Sequence, residues 1–282
     1  FERREARLLF FKNRMRKGET LVFSYPCYAI HQGRFGGLPA RAEEMYAPAR
    51  WGRSGPLVPC GAGARHAVWR CDDLVIKSTN RTEPALRWLA PVHAWARAAG
   101  LIVPEPVPAL SGLLVSGGWT AERFLPGPGA SARDLQELAP RIVAFHRLSR
   151  GVPPRPGVPG MAALLREGRG GDVTLWAMPR RLAQAIRAAF IAVASERAGL
   201  VHGDLNPGNV ILTPNGPALV DWDESRADHL FLDLAPLGVR QSIRQRRAAL
   251  AYEVACCWSV EPERARRLAR RLIPSAGSGR IP

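Results

Sequence analysis

The hydrophobic pattern changes character at Pro56. The run PLVPCGAGARHAVWRCDDLVIKS breaks into three short β-prone stretches, parted by a glycine turn and by Asp72–Asp73, the third ending at Lys77. Short runs bounded by Gly and Asp predict antiparallel strands. In the following TEPALRWLAPVHAWARAAG, Leu86, Leu89, Val92 and Trp95 have the spacing of a helix that Thr82 can cap and Gly100 can end. Pro91 falls inside it and should kink or split it. Two more strands are expected near 101–108 and 113–125, closing on the turn LPGPG.

Beyond 126 the periodicity is mostly helical. LQELAPRIVAFHRLS and PRRLAQAIRAAFIAVASERAG repeat apolar residues at i, i+3 and i+4, with Gly199 placed to stop the second. The Pro/Gly/Arg-rich stretch 150–175 reads as loop, and YEVACCW and ERARRLARRL as helix. Residues 1–54 are basic, turn-rich and weakly periodic, and Met45 is a reasonable alternative start. The predicted organisation is a basic, poorly ordered extension over 1–54, a β-rich lobe over 55–125 and an α-rich lobe over 126–282.

Composition narrows the class. A chain of 282 residues, 46% hydrophobic, buries a real core as one large domain or two lobes. No stretch approaches about 18 consecutive apolar residues, so no spanning helix and no membrane partner are expected. The net charge of +16 invites a nucleic-acid reading. Yet residues 1–50 hold ten Lys/Arg against five Asp/Glu, and 240–282 hold ten against three, leaving only +4 between them. No recognition motif accompanies that charge, so a dedicated nucleic-acid site is not expected. Almost all the basic residues are arginine. After residue 17 the one lysine is Lys77, either chance or a place where a compact ammonium fits and a guanidinium fork does not. Five cysteines without C-x-x-C argue against a disulfide framework and a cysteine zinc site, and fit a reducing, cytoplasmic compartment.

The chemistry concentrates in LVHGDLNPGNVILTPNGPALVDWDE, residues 200–224. Asn209–Leu212 and Ala218–Trp222 are β-prone runs around Asn215–Gly216, a strong hairpin signal. A loop of those two residues sets Val210 opposite Asp221; a loop centred on Asn215 sets Asn209 there. Either register brings Asn209 and Asp221 within about one residue of each other, with opposed partners ~5 Å apart. Asp204 heads the loop that feeds the hairpin, with His202 beside it. Amide and carboxylate oxygens suit Mg²⁺, which takes few protein ligands and shares substrate phosphates. Taken singly, each Asp or Asn is equally at home as a polar turn residue.

The run His202-Gly203-Asp204-Leu205-Asn206-Pro207-Gly208-Asn209 resembles the catalytic loop of the aminoglycoside phosphotransferase/choline kinase branch of the protein-kinase-like fold. DWDESRADHLFLDLA resembles that family's metal segment and following helix. The likeness spans about 56–272 and is strongest over 200–235. It implies an α+β bilobal fold, with an antiparallel β-sheet N-lobe bearing one helix and a larger α-rich C-lobe. It also implies ATP and Mg²⁺, a catalytic loop at 202–209 and a metal segment at 221–223. On that pattern Asp204 is the catalytic base, Asn209 and Asp221 hold the metal, and His202 and Asp233 support the loop. Lys77 grips phosphate, and Gly61 and Gly63 lie in the nucleotide-covering turn. The hinge at Glu122, Phe124 and Leu125 offers backbone groups to adenine. Glu83 is the helix acid placed to pair with Lys77, although near a helix start it also complements the dipole. His146 is expected to be a packed, hydrogen-bonded histidine. Asp223 is expected to assist metal or substrate, or else to be solvated or paired with Arg226.

Two departures shape the expected activity. Gly203 stands where protein kinases carry the Arg of His-Arg-Asp, and the interval from Asp221 to Asp233 is too short for a long activation loop. A small-molecule hydroxyl is therefore the expected acceptor. The acids between 126 and 200 are only Asp134, Glu137, Glu167, Asp172 and Glu196, which leaves a neutral or anionic acceptor as open as a polycation. The second reading is a catalytically inactive nucleotide-binding scaffold of the same fold. Oligomeric state and ATP versus GTP preference are not encoded in any motif.

Overall fold

The computed structural model describes the backbone of residues 2–4, 7–9, 41–44 and 47–53, and backbone and side chains of 58–60, 67–109 and 111–273. In the first group β1 (Glu2–Arg4) pairs with β2 (Arg7–Leu9) and β3 (Arg41–Glu44) with β4 (Ala47–Arg53), as separate two-stranded hairpins.

The N-lobe is a five-stranded antiparallel sheet of β5 (Val58–Pro59), β6 (Val68–Cys71), β7 (Leu74–Ser78), β8 (Pro106–Val107) and β9 (Trp119–Arg123), in the order β5-β6-β7-β9-β8. Asp72, at φ 53°, makes the tight turn between β6 and β7. The register sets Lys77 on β7 opposite Val68 and Thr120. Between β7 and β8 lie α1 (Glu83–Arg87) and α2 (Leu89–Ala98). The expected single helix splits at Trp88 because the Pro91 ring would collide with the carbonyl one turn earlier, that of Arg87. Pro91 itself sits in the first turn of α2, where no N–H is required.

The C-lobe runs α3 (Ala132–Glu137), α4 (Ala139–Leu148), α5 (Met161–Glu167), β10 (Arg169–Gly170), β11 (Val173–Thr174) and α6 (Arg180–Ile191). It continues with β12 (Ala198–Val201), β13 (Val210–Thr213), β14 (Gly216–Leu219), β15 (Arg226–His229), α7 (Phe231–Leu234), α8 (Ile243–Cys257) and α9 (Pro262–Leu272). Two expectations are corrected. Residues 150–175 contain a helix, α5, closed by Gly168 at φ 68°, because Met161 and Leu164 are buried in the core. Gly199 does not end a helix. α6 stops at Ile191, and Gly199 lies in β12, where pairing with β15 overrides local helical preference.

Two cores hold the molecule. One joins α5, α6, α8 and α9 around Ile186, Phe190 and Val254. The other joins α2 and α4 to β12, β13, β14 and the turn after it, through Val92, Ile142, Phe145, Leu200, Val210, Leu219 and Trp222. Trp222 is its aromatic hub, packed edge-on against His93, Phe145 and His202 at centroid distances of 5.4, 5.6 and 4.7 Å. Ile102, just after α2, exchanges backbone hydrogen bonds with Pro217 and Leu219, so the N-lobe is stitched to the β13–β14 hairpin.

His93 gives this core an acid sensitivity. Burial first, then Arg97 and Arg155, push its imidazole down to about 3. The folded chain therefore refuses a proton that the unfolded chain accepts below its ordinary 6.5. Stability contributed by the neutral ring is full above that value and declines as pH falls below it. Urea unfolding between pH 7 and 4.5 is expected to show His93→Phe with a shallower fall than the parent, by up to about 1.4 kcal/mol per pH unit, one proton's worth.

Candidate active site

The 202–209 loop leaves β12 at His202 and is pinned by one carboxylate. Asp233, fully buried at α7, accepts the N–H of His202 at 2.7 Å and of Gly203 at 3.0 Å, while His146 Nε2 donates to it at 3.0 Å. Burial opposes its charge, but the hydrogen bond and charge of His146, then His202 and the Gly203 amide, hold it below the usual carboxylate range. His146 thus packs and hydrogen-bonds, as expected of it. His202 Nε2 donates to Val220 O at 3.1 Å, and its Nδ1 accepts the Asp204 N–H at 3.3 Å. Burial keeps that ring neutral, against the pull of Asp233 and Asp204. Gly203 turns the chain at φ 88°, where a Cβ would lie 2.4 Å from Glu224 O and 2.6 Å from Arg226 Nη1. The space an arginine would need at 203 is thus already filled by Arg226.

Downstream, two amides grip the exposed Asp204. Asn206 Nδ2 donates to its Oδ1 at 3.3 Å, and Asn209 Nδ2 to its Oδ2 at 2.9 Å and to its backbone oxygen at 2.8 Å. With its nitrogen so committed, Asn209 offers an oxygen to the cleft. The hairpin register differs from both expected ones. Thr213 pairs with Gly216 around a Pro214–Asn215 loop, and Val210 with Leu219. Gly216, at φ 126°, is the strand residue after the loop and not its second member. Asp221 still falls one residue beyond Val220, whose N–H bonds Asn209 O at 2.9 Å, so both residues stand at the hairpin's base and line the same cleft. Asp221 takes the left-handed conformation, φ 63°, unusual for a residue with a Cβ.

The sheet brings Lys77 to the same place. Its Nζ lies 3.9 Å from Asp221 Oδ1 and 2.8 Å from Glu122 Oε1. Burial works against the ammonium, but Glu122 and then Asp221 outweigh it and raise its pKa. The expected Glu83 partnership is corrected here. Glu83 Oε1 binds Arg87 Nε at 2.7 Å, and its Oε2 accepts the N–H groups of Leu114 and Val115 at 2.8 and 3.1 Å. It ties a loop to α1, and the acid on Lys77 is Glu122 of the neighbouring strand. At the hinge, Arg123 N–H donates to Glu105 O and Phe124 N–H to Asp73 O, while Arg70 lies 3.8 Å over the Phe124 ring. Carbonyls and the Leu125 N–H are what this stretch has left for a ligand. Gly61 and Gly63 lie outside the described residues.

A cavity of about 930 Å³ opens between the lobes, lined by Lys77, Glu122, Phe124, Leu125, Asp204, Asn209 and Asp221. It continues past Arg226 to Tyr252, Glu253 and Glu261 on the C-terminal helices, and none of the five acids between 126 and 200 lines it. Two arginines absent from the sequence reading cross the lobes. Arg81 Nε donates to both Asp223 oxygens at 3.1 Å, its Nη2 lying 3.4 Å from Glu224 Oε1. Asp223 is therefore paired, with Arg81 and not with Arg226, whose nearest acid is Asp228 at 2.9 Å. Arg155 reaches the backbone of the same turn.

Residues 57–269 match the model of the phosphotransferase enzyme family. The chain belongs to the phosphotransferase enzyme family. Its fold is the bilobal protein-kinase-like one. The gentamicin complex of APH(2")-IIa aligns at 11% identity and TM-score 0.51, over 78% of this chain and 91% of that one. A microcompartment-associated aminopropanol kinase aligns at 14% and 0.51, over 78% and 89%. A choline/ethanolamine kinase family protein from Mesorhizobium loti aligns at 16% and 0.48, over 79% and 89%. No curated protein sequence matches. Residues 1–49 match the model of the bacterial alpha-2-macroglobulin MG10 domain, ending before the pattern change at Pro56.

The donor set fits a divalent ion of one kind. Among the described residues no three His, Cys, Asp or Glu side chains form an all-protein metal site. Asn209 and Asp221 instead supply two hard oxygens beside a phosphate-sized cleft, the sparse protein share that Mg²⁺ accepts when phosphate completes its shell.

Asp233→Ala is expected to lose about 3 kcal/mol of stability, because two amides and an imidazole lose their buried partner. Gly203→Ala is expected to cost about 2 kcal/mol or more through the left-handed strain and the Glu224 clash. Denaturant midpoints of the two variants against the parent check both.

Proposed function

We propose that the chain transfers the γ-phosphoryl group of ATP to a hydroxyl of a small molecule. The observation that carries this is the 3.9 Å approach of Lys77 Nζ, from the N-lobe sheet, to Asp221 Oδ1 at the base of the hairpin that also bears Asn209. An ammonium, two metal-type oxygens and a presented carboxylate then face one cleft, the set phosphoryl transfer needs.

In this reading Lys77 neutralises the α- and β-phosphates and the hinge near Leu125 receives the base. Asn209 and Asp221 would hold Mg²⁺, which would supply positive charge to offset that of the phosphates. Asp204, its oxygens oriented by Asn206 and Asn209, aligns the acceptor hydroxyl and takes its proton as the oxygen attacks the γ-phosphorus and ADP leaves. Positioning and fixed charge supply the rate, since no covalent enzyme intermediate forms.

The acceptor enters at the end lined by Asp223, Glu224, Glu253 and Glu261, against Arg226 and Arg264. Asp223 and Glu224 are paired with Arg81, Glu253 and Glu261 with Arg264, and Arg226 with Asp228, so the charges lining this end offset one another and a neutral hydroxyl compound fits it. Among the described residues no helix is long and apolar enough to cross a membrane, and we place the activity in a reducing, cytoplasmic setting. A nucleotide-binding scaffold is less favoured, because Lys77, Asp204, Asn209 and Asp221 are all present and gathered.

The test is an ADP-release screen over amino sugars, sugars, amino alcohols and nucleosides, with Asp204→Ala as the blank. At least one acceptor is expected to stimulate release, with kcat down on the order of 10³-fold in Asp204→Ala and nucleotide affinity nearly unchanged. Equal loss of turnover and nucleotide binding in a folded Asp204→Ala would remove Asp204 from the role of base. Mg-dependent ATP binding with no turnover on any acceptor would favour the scaffold.

A further inference from the structure

Arg155 comes from the Pro-rich loop between α4 and α5, yet only 3% of its surface is exposed. That loop is docked on the N-lobe, where Trp88 Nε1 donates to Pro153 O at 3.0 Å and the Arg155 guanidinium stands 5.6 Å over the Trp88 ring. The guanidinium then divides its donors between the lobes. Nε gives a hydrogen bond to Ala85 O of α1 at 3.0 Å. Nη1 lies 3.0, 2.9 and 3.0 Å from the carbonyl oxygens of Trp222, Asp223 and Ser225, sharing its hydrogens among them.

Those three carbonyls belong to the short 3₁₀ turn Trp222–Glu224 and its exit, which begins immediately after Asp221. At its exit Ser225 N–H returns a backbone bond to Trp222 O at 3.1 Å. Without Arg155 the part-buried Asp223 carbonyl and the buried Ser225 carbonyl would lose a charged donor, a cost that the turn would relieve by refolding onto other partners. Asp221 sits at the head of that turn in a left-handed conformation that persists only while its surroundings enforce it. Arg81, bound to the Asp223 side chain from the N-lobe, restrains the turn at a second point. A lysine cannot substitute for Arg155, because one point charge cannot span Ala85 and the turn together.

We propose that Arg155 is a positioning residue of this site: by gathering the carbonyls of the turn after Asp221 and tying them to α1, it holds the Asp221 carboxylate where Mg²⁺ and nucleotide meet. This rests on the phosphotransferase reading above. Arg155 does not line the cleft and acts through the turn that begins after Asp221.

The experiment compares parent, Arg155→Met, Arg155→Lys and Arg155→Ala, each shown to unfold cooperatively, by titrating ADP in excess Mg²⁺ and in EDTA, with Arg155→Ala expected to share the defect of Arg155→Met. The parent is expected to bind ADP more tightly with Mg²⁺. In Arg155→Met the Mg²⁺ concentration that gives half of this gain should rise about 10–100-fold, while affinity in EDTA stays within about twofold. Arg155→Lys should resemble Arg155→Met, and added guanidinium ion should restore Arg155→Ala. Without ligands, hydrogen exchange of the 220–226 amides should quicken in Arg155→Met while that of α6 does not change. If Arg155→Met does not fold, Arg155→Lys carries both measurements. An unchanged Mg²⁺ requirement in a folded variant overturns the positioning role alone. Absence of any Mg²⁺-dependent ADP binding by the parent overturns the phosphotransferase reading and this role with it.

Discussion

The site hangs on a carboxylate that does no chemistry. Asp233 is fully buried and keeps its charge because two successive amides and an imidazole point at it. A buried ion left unpaired costs several kcal/mol, so the loop and α7 must stay together. That demand fixes the direction in which the chain leaves β12 and forces the left-handed turn at Gly203. Asp204 is thereby delivered to the cleft with its backbone already restrained. Its side chain is free to stay solvent-facing because the restraint lies one and two residues upstream.

The same economy is visible across the cleft. Surface ion pairs contribute little, but the inter-lobe contacts here are half-buried or buried and use arginine forks. Arg81 binds a side chain of the turn after Asp221 and Arg155 binds its backbone. Each element is anchored outside itself: the loop by α7, the turn after Asp221 by α1 and by the α4–α5 loop. A chain with short local elements and many prolines can present a rigid site in this way, because long-range polar contacts replace long helices.

What the sequence disclosed and what it hid follow from this division. His202, Asp204, Asn209 and Asp221 are close in the chain, and their spacing is dictated by one loop and one hairpin, so their gathering was readable even though the register was off by one or two positions. The error came from Asn215–Gly216, a strong turn dipeptide that the structure splits, placing Asn215 in the loop and Gly216 on the strand. Helix α5 was hidden by its Pro- and Gly-rich flanks, and the end of α6 by strand pairing between β12 and β15. Arg155 carried no signal at all. It is one arginine among 37, and its partners lie 67 to 70 residues away in either direction.

Glu122 shows the most instructive displacement. The sequence puts Glu122 in the hinge, offering backbone groups to adenine, and points to Glu83 as the acid for Lys77, because protein kinases take that acid from the helix after the lysine strand. In those enzymes, helix position controls the pair and hence activity. Here the pair runs between β7 and β9, adjacent strands whose register sets Lys77 against Thr120 and leaves Glu122 on the same face two residues on. Successive side chains on a strand alternate faces, so that relation holds as long as the sheet does. The first helix is meanwhile occupied elsewhere, its Glu83 binding the loop at Leu114 and Val115. Swinging α1 would break those bonds and the Arg155 contact to Ala85 but would leave the lysine in place. Control of this site by helix movement would thus act on Asp221, through Arg155, and not on Lys77.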